Sequence, residues 1–200
     1  MPHRASTHHH LIGGIDEVGR GALAGPVFAA MAVFNPRTLD PDIASRIRDS
    51  KQLTKPQRQD IARTLTRHIS FTLGAASVRD ITQRNILQAS LLAMGRAWHH
   101  APHKPTILLI DGIHAPPIPS PMRTIPQGDA KDMTIAAASI IAKVARDTIM
   151  EKLAQRYPAY AWHKNAGYPT PHHQYALKHY GRTAHHRPTF RHVRSVPAYL

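Results

Sequence analysis

Gly14-Ile15-Asp16-Glu17-Val18-Gly19-Arg20-Gly21 is the stretch on which the fold turns. Leu11, Ile12 and Ile15 lead as an apolar strand into two adjacent acids, and a glycine–arginine–glycine turn follows directly. Neighbouring side chains of a strand point to opposite faces, so Asp16 and Glu17 cannot both enter one core. Such a pair is expected at a strand edge or bulge, where a shared cation draws the two carboxylates together. The glycines bare their backbone amides and Arg20 adds a charge, which suits a phosphate or a sugar edge. A charged strand followed by an ordinary glycine turn has the same composition, so the reading needs the rest of the chain.

The balance of charge supplies the first support. The 200 residues carry 26 Lys and Arg against 12 acids, a formal charge of +14, which favours a polyanionic partner, nucleic acid first among them. The scarce acids are not scattered. Asp16, Glu17, Asp111 and Asp129 all lie beside glycine or at the end of an apolar run. Carboxylates at special backbone positions on a cationic body point to a metal-dependent enzyme acting on phosphodiesters. A chain without cysteine has no disulfide framework and no thiolate metal site. No apolar run reaches transmembrane length and the start is His-rich rather than signal-like, so a cytoplasmic, membrane-free protein is expected.

Along the chain, residues 1–10 read as a flexible leader. Strands are expected over 11–18 and 26–34, antiparallel across the glycine-rich connection. A short helix over 41–48 leads into Asp49-Ser50-Lys51. Thr54 opens a second helix, with Gln57 completing a capping box and Pro56 in the first turn; Ile61, Leu65 and Ile69 form its apolar stripe. Strand three is read over 70–78. A helix over 82–98 follows, whose Leu87, Leu91, Met94 and Trp98 repeat at core spacing. Residues 106–111 form a continuous apolar run ending on Asp111-Gly112, which predicts a strand buried on both faces, central in the sheet. Ligands of open α/β sheets gather at the carboxyl ends of strands, which makes Asp111 a site candidate. A short strand over 122–126 precedes Gly128-Asp129 and the longest helix, 134–156, nearly all Ala and Ile. Its polar exceptions Ser139, Lys143 and Arg146 fall on one stripe, which is expected to face a site or a deliberate partner. Asp132 is read as the N-cap of this helix and Asp147 as the partner of Lys143.

After Tyr157 the character changes. Tyr160, Trp162, Tyr168 and Tyr175 alternate with lysines and histidines, and Thr170-Pro171 caps a last helix. Rings among cations fit a nucleic-acid surface, and equally a helical appendage packed by its own aromatics. The sixteen histidines have no regular spacing and read as surface composition; their protonation would raise the charge and strengthen polyanion binding below about pH 6.5.

Carboxylates on the first strand, at the end of the buried strand and before the long helix can together hold two divalent ions about 3.5–4 Å apart, the arrangement for in-line phosphoryl displacement. Hard oxygen donors favour magnesium or manganese.

Over roughly residues 11–190 the chain resembles ribonuclease HII. The motifs are Asp16-Glu17-Val18-Gly19-Arg20-Gly21, Asp49-Ser50-Lys51, Asn85-Ile86-Leu87, Leu109-Ile110-Asp111-Gly112, Gly128-Asp129, the run from Ala138 to Val144 with Arg146-Asp147, and Gly167-Tyr168-Pro169-Thr170. The resemblance implies an α/β fold of the ribonuclease H-like type: a mixed five-stranded sheet flanked by helices, as a catalytic domain over 11–156. A helical substrate-binding segment and tail over 157–200 would follow. It implies that Asp16, Glu17, Asp111 and Asp129 hold two Mg²⁺ or Mn²⁺ ions and carry catalysis. Gly19, Arg20 and Gly21 would read the 2′-hydroxyl through their backbone, Tyr168 would stack on the neighbouring deoxyribose, and Ser50, Lys51 and Lys143 would contact phosphate. The implied activity is that of a monomeric endoribonuclease acting on RNA–DNA hybrids and on ribonucleotides embedded in duplex DNA. It would cut 5′ of the ribonucleotide and leave 3′-hydroxyl and 5′-phosphate ends. Gln127, where the family usually has a lysine, and Thr82, where it often has an acid, depart from the pattern without touching the implied ligands. A hybrid-only nuclease lacks a use for the Gly19–Gly21 turn with Tyr168. A purely binding protein lacks a use for four acids that repel phosphate.

Overall fold

The structure, a computed structural model, describes residues 11–47 and 53–199; Asp49, Ser50 and Lys51 lie outside the described residues. Strands β1 (Ile12–Val18), β2 (Val27–Phe34), β3 (Ser70–Ala76), β4 (Ile107–Asp111) and β5 (Met122–Ile125) form one sheet in the order β3-β2-β1-β4-β5. β1 and β3 run antiparallel to β2, and β4 runs parallel to β1 and β5, so the sheet is mixed as expected. The central strand is β1. β4 is interior but second from the edge, and only Leu108 and Ile110 of its apolar run are fully buried; Ile107 is 37% exposed. The acid pair is therefore not on a sheet edge. It occupies the carboxyl end of the middle strand, where pairing with β4 stops at Ile15 while pairing with β2 runs on to Val18.

Helices cover both faces. On one side α3 (Val78–His100) packs Ala89, Ala93, Met94 and Ala97 onto Ile15, Met31, Leu108 and Ile110. On the other, α1 (Pro41–Arg46), α2 (Lys55–His68) and α4 (Met133–Arg156) bury Ile43, Ile61, Leu65, Ala138, Ile141 and Ala142 against Ala30, Ala32 and Phe34. α2 carries the expected capping box between Thr54 and Gln57, and Asp132 caps α4 by accepting from the amides of Thr134 and Ile135. Each such cap is worth about 1 kcal/mol.

α3 differs most from its sequence reading. β3 stops at Ala76 because Ser77 caps α3, its hydroxyl accepting from the Asp80 amide while the Asp80 carboxylate accepts from the Ser77 amide. Residues 78–84 are largely polar, so apolar periodicity hides this first turn. The helix kinks at Asn85, whose φ of 66° breaks it and whose side chain accepts from the Gln88 amide to restart it. Met94 and Trp98 are core, whereas Leu87 and Leu91 are only partly buried at the core's margin.

The C-terminal part contains α5 (Trp162–Asn165) and α6 (Pro171–Tyr180), the latter capped by Thr170. Tyr160, Trp162 and Ala176 pack on Ala24, Met150 and Ala154, which ties this part to the β1–β2 connection and to α4. Among the described residues no helix is long and apolar enough to cross a membrane.

Candidate active site

The geometry of β1 begins with Gly14. Its backbone lies so close to the first turn of α4 that an added Cβ would stand 2.1 Å from the Thr134 carbonyl carbon. Asp16, two residues on, shares this face and meets Ser139 of α4, whereas Ile15 packs on the α3 side. Glu17 belongs to the α3 face. The two carboxylates do leave opposite sides of the strand, yet they meet beyond its end. Oxygens of Asp16, Glu17 and Asp111 all lie within 4.8 Å of one another. Asp129 stands outside this close group but lines the same cavity, of about 260 Å³, together with Gly19, Arg20, Gly21, Ser139, Lys143 and Tyr168. Asp111 accepts the Gly128 amide at 2.6 Å and so fixes the turn that carries Asp129. That turn opens on Gln127 in the left-handed region, at φ 56°.

The charges are poorly compensated. Burial, then the Glu17 charge, and further the Asp111 charge hold the Asp16 carboxyl well above its usual range, against a hydrogen bond from Ser139. Burial and Asp111 raise Glu17 as well, against the opposing pull of Arg20, whose guanidinium donates to Glu17 Oε1 at 2.9 Å. Glu17 Oε2 is buried and has no hydrogen-bond partner among the described residues. An orphaned carboxylate oxygen beside two further acids is the donor set of a hard divalent cation, so these residues fit the implied metals.

Around the acids the cavity is cationic and aromatic. Lys143 pairs with Asp147 at 2.8 Å, as expected from the sequence, and its Nζ stands 5.7 Å from the centre of the Tyr168 ring. Arg58 of α2 also lines the cavity, a residue no motif marks. Arg146 shares the Tyr168 ring with Lys143, its guanidinium carbon 5.6 Å from the ring centre, but its hydrogen bonds run inward. It is fully buried and donates to the carbonyls of Pro26, Ala166 and Ala24, so the polar stripe of α4 serves the site at Ser139 and Lys143 and a structural partner at Arg146.

Two histidines correct the reading of all sixteen as surface residues: His173 and His186 are buried and bonded to each other. The Tyr168 carbonyl can only accept, so His173 carries its proton on Nδ1, 2.9 Å away. Its Nε2 then accepts from Trp162 Nε1 and from His186 Nε2, each at 3.1 Å, while His186 Nδ1 accepts the Thr183 amide. Both rings are neutral in this chain of bonds, and a further proton would set two donors face to face. Burial lowers both; His186, with the added charges of His173 and His185, falls to about 3. The unfolded chain binds protons at these rings below about pH 6.5, whereas the native protein does not. They therefore remove stability as pH falls below about 6.5, His186 doing so progressively toward about 3. Urea midpoints are expected to drop between pH 7 and pH 4.5, more steeply in the wild type than in His186→Asn. Equal slopes would place the acid sensitivity in other groups. The variant comparison is needed because the raised Asp16 and Glu17 act in the opposite direction.

The family model described as Ribonuclease HII matches residues 13–193. The chain is similar to the ribonuclease HII of Granulibacter bethesdensis, 48% identical over 94% of this chain and 87% of that protein. It is 46% identical to that of Rhodospirillum rubrum, over 94% and 87% of the two chains. Among solved structures it is similar to the ribonuclease H2 of Pyrococcus horikoshii, with a TM-score of 0.78 at 26% identity, covering 92% of this chain and 95% of that one.

Proposed function

The chain belongs to the ribonuclease HII family of metal-dependent hydrolases, which degrade RNA in RNA–DNA hybrids, and from that we propose that it also incises duplex DNA 5′ of an embedded ribonucleotide. The observation that carries this reading is one cavity in which three clustered acids, one with an orphaned oxygen, adjoin both the Gly19–Gly21 backbone and the Tyr168 ring.

Asp16, Glu17, Asp111 and Asp129 would hold two divalent ions, magnesium or manganese. When bound these supply an activated water and neutralise charge on the departing 3′ oxygen. The protein's own groups then decide which bond is presented. Peptide groups of Gly19, Arg20 and Gly21 meet the 2′-hydroxyl, the group that separates RNA from DNA. The Tyr168 ring stacks on the next deoxyribose and thereby favours an RNA-to-DNA junction. Lys143, held by Asp147, lies within reach of a phosphate on the same side; Ser50 and Lys51 would add contacts from outside the described residues. The ends produced are a 3′-hydroxyl and a 5′-phosphate. We take the enzyme to act as a cytoplasmic monomer.

The test is a labelled DNA duplex containing one ribonucleotide, incubated with magnesium or manganese. One cut 5′ of the ribonucleotide, abolished by chelator, is the expected result. Cleavage of a long hybrid with the single ribonucleotide left intact would restrict the activity to hybrids.

A further inference from the structure

The Gly19–Pro26 connection is held from beneath by a second buried arginine. Arg187 is fully buried; its Nε donates to the Gly25 carbonyl at 2.9 Å and its Nη1 to the Arg20 carbonyl at 2.8 Å. Its own amide donates to the Leu23 carbonyl at 2.8 Å, and Gly25 in return donates to His185. Its Nη2 is buried without a hydrogen-bond partner among the described residues. A buried guanidinium with no carboxylate beside it among the described residues is costly, so its two fixed carbonyls call for a use.

The planarity of the peptide bond indicates that use. In a trans peptide the carbonyl of one residue and the N–H of the next point in opposite directions. Arg187 draws the Arg20 carbonyl inward, so the Gly21 N–H points away from the buried guanidinium. Gly21 lines the cavity of the acids, and a Cβ added to it would stand 3.9 Å from Tyr168 Cε1. A charged donor on the carbonyl also polarises the peptide and strengthens its N–H as a donor.

We propose that Arg187 is a specificity-determining positioning residue: by holding the Arg20 carbonyl it aims and strengthens the Gly21 N–H that reads the 2′-hydroxyl of the ribonucleotide. The proposal rests on the junction reading given above. Arg146 packs against Gly19 and donates to the carbonyls of Ala24, Pro26 and Ala166, so it supports the same connection without bonding the Arg20 carbonyl.

The experiment is fluorescence anisotropy in chelator with two duplexes of one sequence, one all-DNA and one carrying a single ribonucleotide. Arg187→Lys keeps the charge but cannot span both carbonyls, and Arg187→Gln removes the charge. In both variants the preference for the ribonucleotide duplex should shrink about five- to tenfold, the scale of one hydrogen bond, with all-DNA affinity unchanged. A merely structural lesion weakens both duplexes alike, and that result overturns the proposal. So does a variant that keeps the full wild-type preference. A wild type with no preference sinks the junction reading, and the proposal with it. If neither variant folds, the positioning role has no existence apart from the fold, and the proposal is overturned.

Discussion

Asp16→Asn is expected to abolish cleavage of hybrid and single-ribonucleotide duplexes alike, by on the order of 10³-fold or more, since a group that works as part of a unit loses nearly the whole catalytic effect. Without ions, the same variant should melt at a higher temperature than the wild type. Asp16 is buried at 6% exposure, and its proton is held above the usual carboxylate range by desolvation and by Glu17. At neutral pH the raised carboxyl therefore costs the native state stability, either as a buried charge or through the proton it takes up, and an amide removes that cost. Added magnesium or manganese should raise the wild-type midpoint, and raise it less in the variant, because ligands bound only by the native state stabilise it. Nuclease assays and thermal melts with and without metal read both halves. A variant that is inactive and also markedly less stable would make Asp16 a structural residue.

Gly14→Ala is the substitution with the largest expected effect on stability. The new methyl would fall 2.1 Å from the Thr134 carbonyl carbon and 2.3 Å from the Ile135 nitrogen, both backbone atoms of the first turn of α4. No rotamer relieves that contact. α4 must shift, and with it Ser139 and Lys143. A cost of about 3 kcal/mol, at the upper end for overpacking, would lower the midpoint by about 6–12 °C in a chain of this size. Gly95→Ala is the matched control: in the interior of α3 its Cβ would find its nearest atom at 3.8 Å, from Ile118. It should stabilise by about 0.5–1 kcal/mol, the difference in helix propensity. If Gly14→Ala melts within about 2 °C of the wild type, α4 is not seated on β1 as described.

Most of the architecture was open to reading residue by residue, and the exceptions share causes. The capping residues Thr54, Asp132 and Thr170 were legible because each cap is a local bond. Ser77 and Asp80 form an equally local box, but the polar turn after them carries no apolar stripe, so the sequence pattern extends strand three two residues past its end at Ala76. Leu87 and Leu91 show the opposite failure. Their helical spacing is that of core residues, yet the kink at Asn85 and the end of the sheet leave them at the core's margin. Burial depends on what lies opposite, which spacing does not record.

By itself the sequence determined the mixed α/β fold, the order of its elements and which acids are candidates for the site. Alternating apolar runs, caps and glycine turns act over a few residues, and the motifs around Asp16, Asp111 and Asp129 are contiguous. Only the tertiary structure decided that the acid pair closes the middle strand rather than an edge, and that Asp16, Glu17 and Asp111 converge while Asp129 stands just outside them. It alone separated His173 and His186 from the surface histidines and turned Arg146 and Arg187 inward onto carbonyls. The reason is physical. A charged or titratable side chain is buried only where partners from distant segments satisfy it, and those partners are 20 to 167 residues away for the two arginines.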